Sequence, residues 1–232
     1  MKKILITAPV RQEKKIFNLY LNSLNNLVKE GFTTEYFFSL HNSKHLSERL
    51  EGHQYCLAES DNDFVTHHTH HWKDENLLDV SSIKNFLIKQ MLEGDYDYMF
   101  MVDSDIILHP ETLNHLVKQN KDIISEVFWT KWKPDSEEEP NAWMHNFYSF
   151  NHLDEIKDWR VKGLYEVGGT GASILIKREV FEKGIDYSII PNVSFTKWED
   201  RAFCIRAVVH GYKIYLDTHY PAKHLYRKED VK

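Results

Sequence analysis

Two carboxylates one residue apart, Asp103 and Asp105, stand directly after the apolar run Tyr98-Met99-Phe100-Met101-Val102. In extended backbone alternate side chains share a face, so the pair projects in one direction. Such a pair can hold a hard divalent cation and leave positions open for diphosphate oxygens, neutralising a leaving group that departs with extra negative charge. An Asp-x-Asp triplet after a strand is also an ordinary solvated loop start, and in isolation Asp103-Ser104-Asp105 does not separate the two readings. Gly168-Gly169-Thr170-Gly171 either lets a ligand approach the backbone closely or turns the chain tightly. It has neither the glycine spacing of a dinucleotide loop nor the Lys-Ser/Thr ending of a Walker loop. His67-His68-Thr69-His70-His71 invites a zinc reading, but it lacks a helical i, i+4 pair with an accompanying acid, and an exposed polar loop is the expectation.

These groups need elements to hold them. Lys3 to Thr7 reads as a short buried strand, followed by a helix with apolar residues at Ile16, Leu19, Tyr20, Leu24, Leu27 and Val28 that Gly31 closes. Thr33 to Leu40 and Gln54 to Leu57 are strand candidates, and strand, helix, strand in this order implies a parallel crossover. Glu59 to Glu75 reads as a long loop. A second helix then sets Leu78, Ile83, Phe86, Leu87 and Met91 on one face and ends near Gly94. Tyr98 to Val102 has no polar alternation, as a central parallel strand covered on both faces requires. In an open α/β sheet ligands gather at the carboxyl ends of such strands, where Asp103 and Asp105 stand.

Pro110 fits a first helical turn with Leu113, Leu116 and Val117 behind it, and Asp122 to Phe128 is a further strand. Thr130 to Asn141, acidic and punctuated by proline, reads as a mobile loop. The second half adds strand candidates at Asn146 to Phe150, Leu164 to Val167, Ala172 to Ile176 and Lys213 to Leu216. Helices are expected near Arg178 to Lys183 and from Glu199 to His210.

With the order of elements in place, Tyr96 to Asp105, followed by Pro110 and Leu113, resembles the DxD segment of family-two-like GT-A glycosyltransferases. Three more segments match in order. Thr7-Ala8-Pro9-Val10-Arg11 is similar to the first strand and nucleotide-contacting loop of that group, Trp198-Glu199-Asp200-Arg201-Ala202-Phe203-Cys204 to its xED motif, and Asp217 to His224 to its late segment ending in a metal-binding histidine. The resemblance runs from residue 4 to about residue 225. It implies an α/β fold, a single Rossmann-like GT-A domain over 1–232 with a central, mostly parallel sheet flanked by helices. A nucleotide-binding half would run to about residue 105 and an acceptor-binding half from about residue 106.

The implied activity is metal-dependent transfer of a sugar from a nucleotide-diphosphate donor, a UDP-sugar being favoured, to an acceptor hydroxyl. Asp103 would lie near the ribose, while Asp105 and His224 hold Mn²⁺ or Mg²⁺, with Asp103 counted in the metal set. Thr7, Pro9, Arg11, Gly169 and Gly171 would face the donor. Lys84 would reach its phosphates, where related enzymes often carry arginine, unless it is simply a solvated helix lysine. His219 competes with His224 for the metal, since either imidazole suits manganese beside oxygen ligands. Asp200 would be the base that takes the acceptor proton, and a carboxylate within hydrogen-bond reach suits that task. Glu199 is the alternative base, or both acids merely complement the start of a helix. Trp129, Trp132 and Trp143 could stack on sugar faces or anchor the core. One base and a stabilised leaving group suit an in-line displacement with inversion, although retaining enzymes share the fold and the triplet.

Composition narrows the alternatives. With 232 residues, 42% hydrophobic and 28% charged, the chain can bury one sizeable core. A net charge of -6 supplies no global field toward nucleic acid or anionic membranes, so nucleic acid is not favoured as a partner. The apolar run after Met1 stops at Thr7, no stretch approaches the ~20 residues of a membrane span, and Cys56 and Cys204 form no framework; a cytoplasmic protein without a transmembrane anchor is the expectation. A sugar nucleotidyltransferase would want glycines in Ala8-Pro9-Val10-Arg11-Gln12. A non-catalytic carbohydrate- or nucleotide-binding module would be expected to lack one of these acids. The acceptor, a glycan or another hydroxyl-bearing molecule, is not legible.

Overall fold

The structure is a computed structural model that describes residues 1–59, 74–133, 135–144, 158–191, 198–226 and 230, with backbone alone at 74–76. Its strands are β1 (Lys2–Val10), β2 (Phe32–His41), β3 (Gln54–Ala58), β4 (Tyr98–Val102), β5 (Ile106–Ile107), β6 (Ile123–Thr130), β7 (Glu139–Pro140), β8 (Ala142–Trp143), β9 (Leu164–Val167), β10 (Gly169–Thr170), β11 (Ser173–Lys177) and β12 (Ile214–His224). The helices are α1 (Lys14–Asn25), α2 (Asp74–Glu93), α3 (Thr112–Gln119), α4 (Arg178–Glu182) and α5 (Glu199–Val209), with a 3₁₀ turn at Lys44–Arg49.

The main sheet runs β3-β2-β1-β4-β11-β6-β12-β5. β3, β2, β1 and β4 are mutually parallel, β12 runs parallel to β6, and β11 is inserted antiparallel between β4 and β6. All five residues of β4 are buried because successive side chains enter different layers. Phe100 and Val102 join Phe17, Tyr20 and Phe38 under α1, while Met99 and Met101 join Leu87, Met91, Phe181 and Phe203 under α2, α4 and α5. Alternation within an all-apolar strand thus builds the two-sided core of a mostly parallel sheet.

Several boundaries depart from the sequence expectation for identifiable reasons. β1 continues to Val10 because β2 pairs with it that far, Val10 opposite Leu40. α1 stops at Asn25, and the amide of Val28 leaves the helical direction to donate to the carbonyl of Pro110 at 2.9 Å. Thr130 to Asn141 is not wholly irregular: Glu139 and Pro140 fold back on Thr130 and Trp129. α2 is rotated relative to the expected face, with Leu78 and Phe86 55% and 39% exposed while Lys84 points inward at 2%. The strand candidate at Asn146 to Phe150, the His67 to His71 cluster and most of the loop from Glu59 to Glu75 lie outside the described residues. Among the described residues no helix is long and apolar enough to cross a membrane.

Tyr20 ties α1 to the strand that ends in the acidic triplet: its buried hydroxyl donates to the carbonyl of Val102 at 2.9 Å. Tyr20→Phe leaves that carbonyl without its donor, and urea unfolding should show a loss of about 1 kcal/mol with an unchanged m value. An unchanged midpoint would mean that the carbonyl finds another donor.

Candidate active site

β4 delivers Asp103 to the carboxyl edge of the sheet, and the amide of Asp103 donates to the carbonyl of Ala172 at 2.8 Å. Ala172 has φ 66, a left-handed conformation that a residue with a Cβ rarely adopts. The amide of Ser173 donates to the carbonyl of Gly171 across it at 2.9 Å, closing a three-residue turn beside the triplet. Strain of this kind persists only where the surroundings over-determine it.

α5 opens with Glu199 and Asp200, and both carboxylates converge on Lys84 of α2. The ammonium lies 2.8 Å from Glu199 Oε1 and 2.7 Å from Asp200 Oδ1. Burial works against the charged lysine, but Asp200, Glu199 and Asp103 outweigh it and hold its pKa well above the ordinary value. The Tyr187 ring lies beneath the ammonium, 5.0 Å from it. Lys84 is therefore committed to the two acids and does not stand free in the crevice.

The glycine turn makes room for this arrangement. A Cβ on Gly171 would sit 2.1 Å from Asp200 Oδ2, and one on Gly169 would sit 2.2 Å from the Trp143 ring. The close approach anticipated at these glycines is thus made by Asp200 and Trp143, two groups of the protein itself. Asn141, which the sequence did not mark, holds the turn in place. Its side-chain amide donates to the carbonyls of Gly171 and Glu126, both at 3.1 Å, and its side-chain oxygen accepts from the amide of Phe128 at 3.0 Å.

Asp105 meets His224 at the far end of β12, with Nε2 3.5 Å from Asp105 Oδ2. His224 Nδ1 lies 2.7 Å from the hydroxyl of Thr130. When Nδ1 carries the proton and donates there, Nε2 keeps a lone pair directed toward Asp105. The amide of Leu225 donates to the carbonyl of Asp105 at 2.9 Å, fixing the pair. His219 instead engages Asp217, with Nδ1 2.9 Å from Oδ1. Geometry therefore joins His224, and not His219, to the triplet.

The remaining candidates divide. Thr7 is fully buried and its hydroxyl donates to the carbonyl of Phe37 at 2.7 Å, so it braces β1 against β2 and has no free hydroxyl for a donor. Pro9 and Arg11 are partly exposed at the end of β1. Trp129 is covered by the Arg160 guanidinium, 3.5 Å from its ring, while Trp132 is 41% exposed and meets Tyr226 edge-on near His224. A cavity of about 470 Å³ opens at the ends of β2 and β3, lined by Leu40, Asn42, Ser43, Lys44 and Leu57 among others. It lies on the same edge of the sheet but away from the acids, so the chemistry is located by the side-chain geometry and not by the cavity.

Glu199 and Asp200 thus contact the Lys84 ammonium, Asp103 acts on it through its charge, and Asp105 pairs with His224. Burial, opposed by Lys84 and reinforced by Asp105, Asp200 and Glu199, raises Asp103 to about 7, and its Oδ1 is buried without a hydrogen-bond partner. Carboxylates and an imidazole are ligand types that suit Mn²⁺ or Mg²⁺; Asp105 and His224 are in contact, but together with Asp103 their ligand atoms do not close into one metal-sized cluster. Asp200 is raised to about 6, chiefly by burial and with Lys84 working against it.

No protein-family model matches the sequence, and no curated protein matches it. Among solved structures, S. aureus TarS 1–349 in complex with UDP-GlcNAc matches with a TM-score of 0.54 at 14% identity, over 96% of this chain and 58% of that one. TarS 1–349 in complex with UDP gives 0.55 at 13%, over 96% and 60%. A197 from STIV matches at 0.50 and 15% identity, over 97% and 85%. This chain therefore spans under two thirds of the TarS fragment. At these identities the likeness shows the fold, a mixed α/β, glycosyltransferase-like GT-A arrangement.

The folded pKa of Asp103, about 7, exceeds its ordinary value of 3.8, so stability present in acid is lost as pH rises between those values. Asp103→Asn removes that penalty. The metal-free variant should melt above the wild type by an amount on the order of 1 kcal/mol or more at about pH 8, and by less at about pH 5. An equal difference at both pH values would show that Asp103 titrates normally.

Proposed function

We propose that this chain is a metal-dependent glycosyltransferase that moves a sugar from a nucleotide-diphosphate donor, a UDP-sugar being favoured, to an acceptor hydroxyl with inversion. The observation that carries the reading is that one edge of a GT-A-like sheet holds the Asp105–His224 pair, the buried carboxylate of Asp103 and the carboxylate of Asp200. Asp103, Asp105 and His224 would hold Mn²⁺ or Mg²⁺, which when bound neutralises charge developing on the departing diphosphate. TarS was crystallised with UDP and with UDP-GlcNAc, and this supports a donor of the same kind here.

In this reading the half to about residue 105 receives the nucleotide, beside Pro9 and Arg11, and the half from about residue 106 receives the acceptor. Asp200 takes the proton of the acceptor hydroxyl as that oxygen bonds to the anomeric carbon. The bond to the diphosphate oxygen breaks, and its electron pair leaves with the nucleoside diphosphate. A base near 6 is ionised at neutral pH yet basic enough to accept a proton in the transition state. Lys84 acts as a positioning residue: it fixes Oδ1 of Asp200 and moderates its basicity. Gly171 leaves space for the other oxygen. The free thiols of Cys56 and Cys204 fit a reducing, cytoplasmic setting.

Calorimetric titration with UDP-, GDP- and dTDP-sugars, with Mn²⁺ and with excess chelator, tests the class. Metal-dependent binding of one donor is expected, weakened at least about tenfold in Asp105→Ala. Asp200→Asn should bind that donor as the wild type does and transfer on the order of 100-fold more slowly. Donor binding with no transfer to any acceptor or to water would favour a non-catalytic module; no donor binding by folded protein would overturn the reading.

The transfer rate should rise with pH through about 6, as Asp200 loses its proton, and then level off. Lys84→Met removes the opposing cation, so the rising limb should move to higher pH. A limb that stays in place would exclude Lys84 from tuning Asp200.

A further inference from the structure

We propose that His115, Asp217 and His219 form a second metal site, for zinc or a similar late divalent transition ion, that pins the irregular stretch of β12 to α3. It shares no residue with the set Asp103, Asp105 and His224 and lies outside the transfer chemistry. Asp217 is fully buried and offers both oxygens: His115 Nε2 lies 3.0 Å from Oδ2 and His219 Nδ1 lies 2.9 Å from Oδ1. One ligand atom from each of the three residues lies within 4.8 Å of the others. Two imidazole nitrogens and one carboxylate oxygen are borderline ligands that suit zinc better than magnesium or calcium. The imidazoles are 21% and 34% exposed, which gives an ion a path to the carboxylate and leaves a fourth position for water.

A second, independent group points into the same place. Glu126 of β6 is fully buried and neither carboxylate oxygen has a hydrogen-bond partner of good geometry, although the backbone amides of Tyr220 and Val127 lie near enough to lower its proton affinity. Glu126 is the register partner of Asp217 in the parallel ladder, so the two carboxylates lie side by side on one face of the sheet. Without an ion, burial and then Asp217 beside it push Glu126 up to about 9, so that it keeps its proton. A divalent ion at the cluster would favour the charged form of both acids.

The placement also has a structural use. His115 sits on α3, whereas Asp217 and His219 flank the start of the irregularity in β12, between the pairings of Asp217 with Glu126 and of Ala222 with Phe128. An ion bridging them fixes the segment from which β12 goes on to His224.

The test uses the full chain stripped with chelator and titrated with zinc. Its background replaces His224 with alanine and also replaces His67, His68, His70 and His71, so that no other histidine cluster contributes. About one zinc per chain should bind and raise the thermal midpoint, and His115→Ala or His219→Ala should each weaken binding at least about tenfold. Should those variants fold poorly, His219→Cys loaded with Co²⁺ keeps a ligand in place and should gain a sulfur-to-cobalt charge-transfer band absent from the parent. Folded parent that binds no zinc, zinc binding unchanged in His115→Ala and His219→Ala, or folded His219→Cys without that band would each overturn the proposal.

Discussion

An ammonium group 2% exposed inside a protein must be surrounded by counter-charge, and much of the site follows from meeting that demand at Lys84. Glu199 and Asp200 supply the charge, and both come from the first turn of α5. That turn can approach only because Gly171 has no side chain, and Gly171 is held where it is by Asn141, which is bonded in turn to β6. Helix, glycine turn and strand are thereby locked into one register by a single buried cation. Loss of either acid would leave part of that charge uncompensated, which costs far more than the pair's net contribution.

Beside these acids, burial and the neighbouring carboxylates raise Asp103 against the pull of Lys84. The elevated proton affinity of Asp103, its orphaned oxygen and the left-handed backbone of Ala172 beside it are all unfavourable for folding taken one at a time. Stability is given up locally at this edge, and the two-sided apolar core beneath supports it.

How much of this could be read from the sequence depends on whether the signal was periodic or relational. β4 was legible because an unbroken apolar run that stops at an acid fits little besides a buried strand, and α5 was legible because two acids open it. The inward turn of Lys84 was not, since a helix face is assigned by its apolar residues and a lysine is placed outside until its partners, more than a hundred residues away, are known. Asn141 sat in an acidic, proline-punctuated stretch and looked like loop. Glu126 did carry a signal, as a charge inside Ile-Ile-Ser-Glu-Val-Phe-Trp-Thr, and His115 carried none, because its partners Asp217 and His219 become neighbours only when α3 packs beside β12.

The irregularity in β12 sets a rule of counting. Between its two pairings with β6, β12 advances from Asp217 to Ala222 while β6 advances only from Glu126 to Phe128. Side chains alternate along a strand, so the odd step on one partner against the even step on the other is absorbed by the intervening residues, which restore the phase of the strand before His224. The parity of that segment therefore decides which side of the sheet the terminal imidazole faces. The number of residues between Asp217 and Ala222 is thus under a constraint of its own, separate from whatever their side chains do.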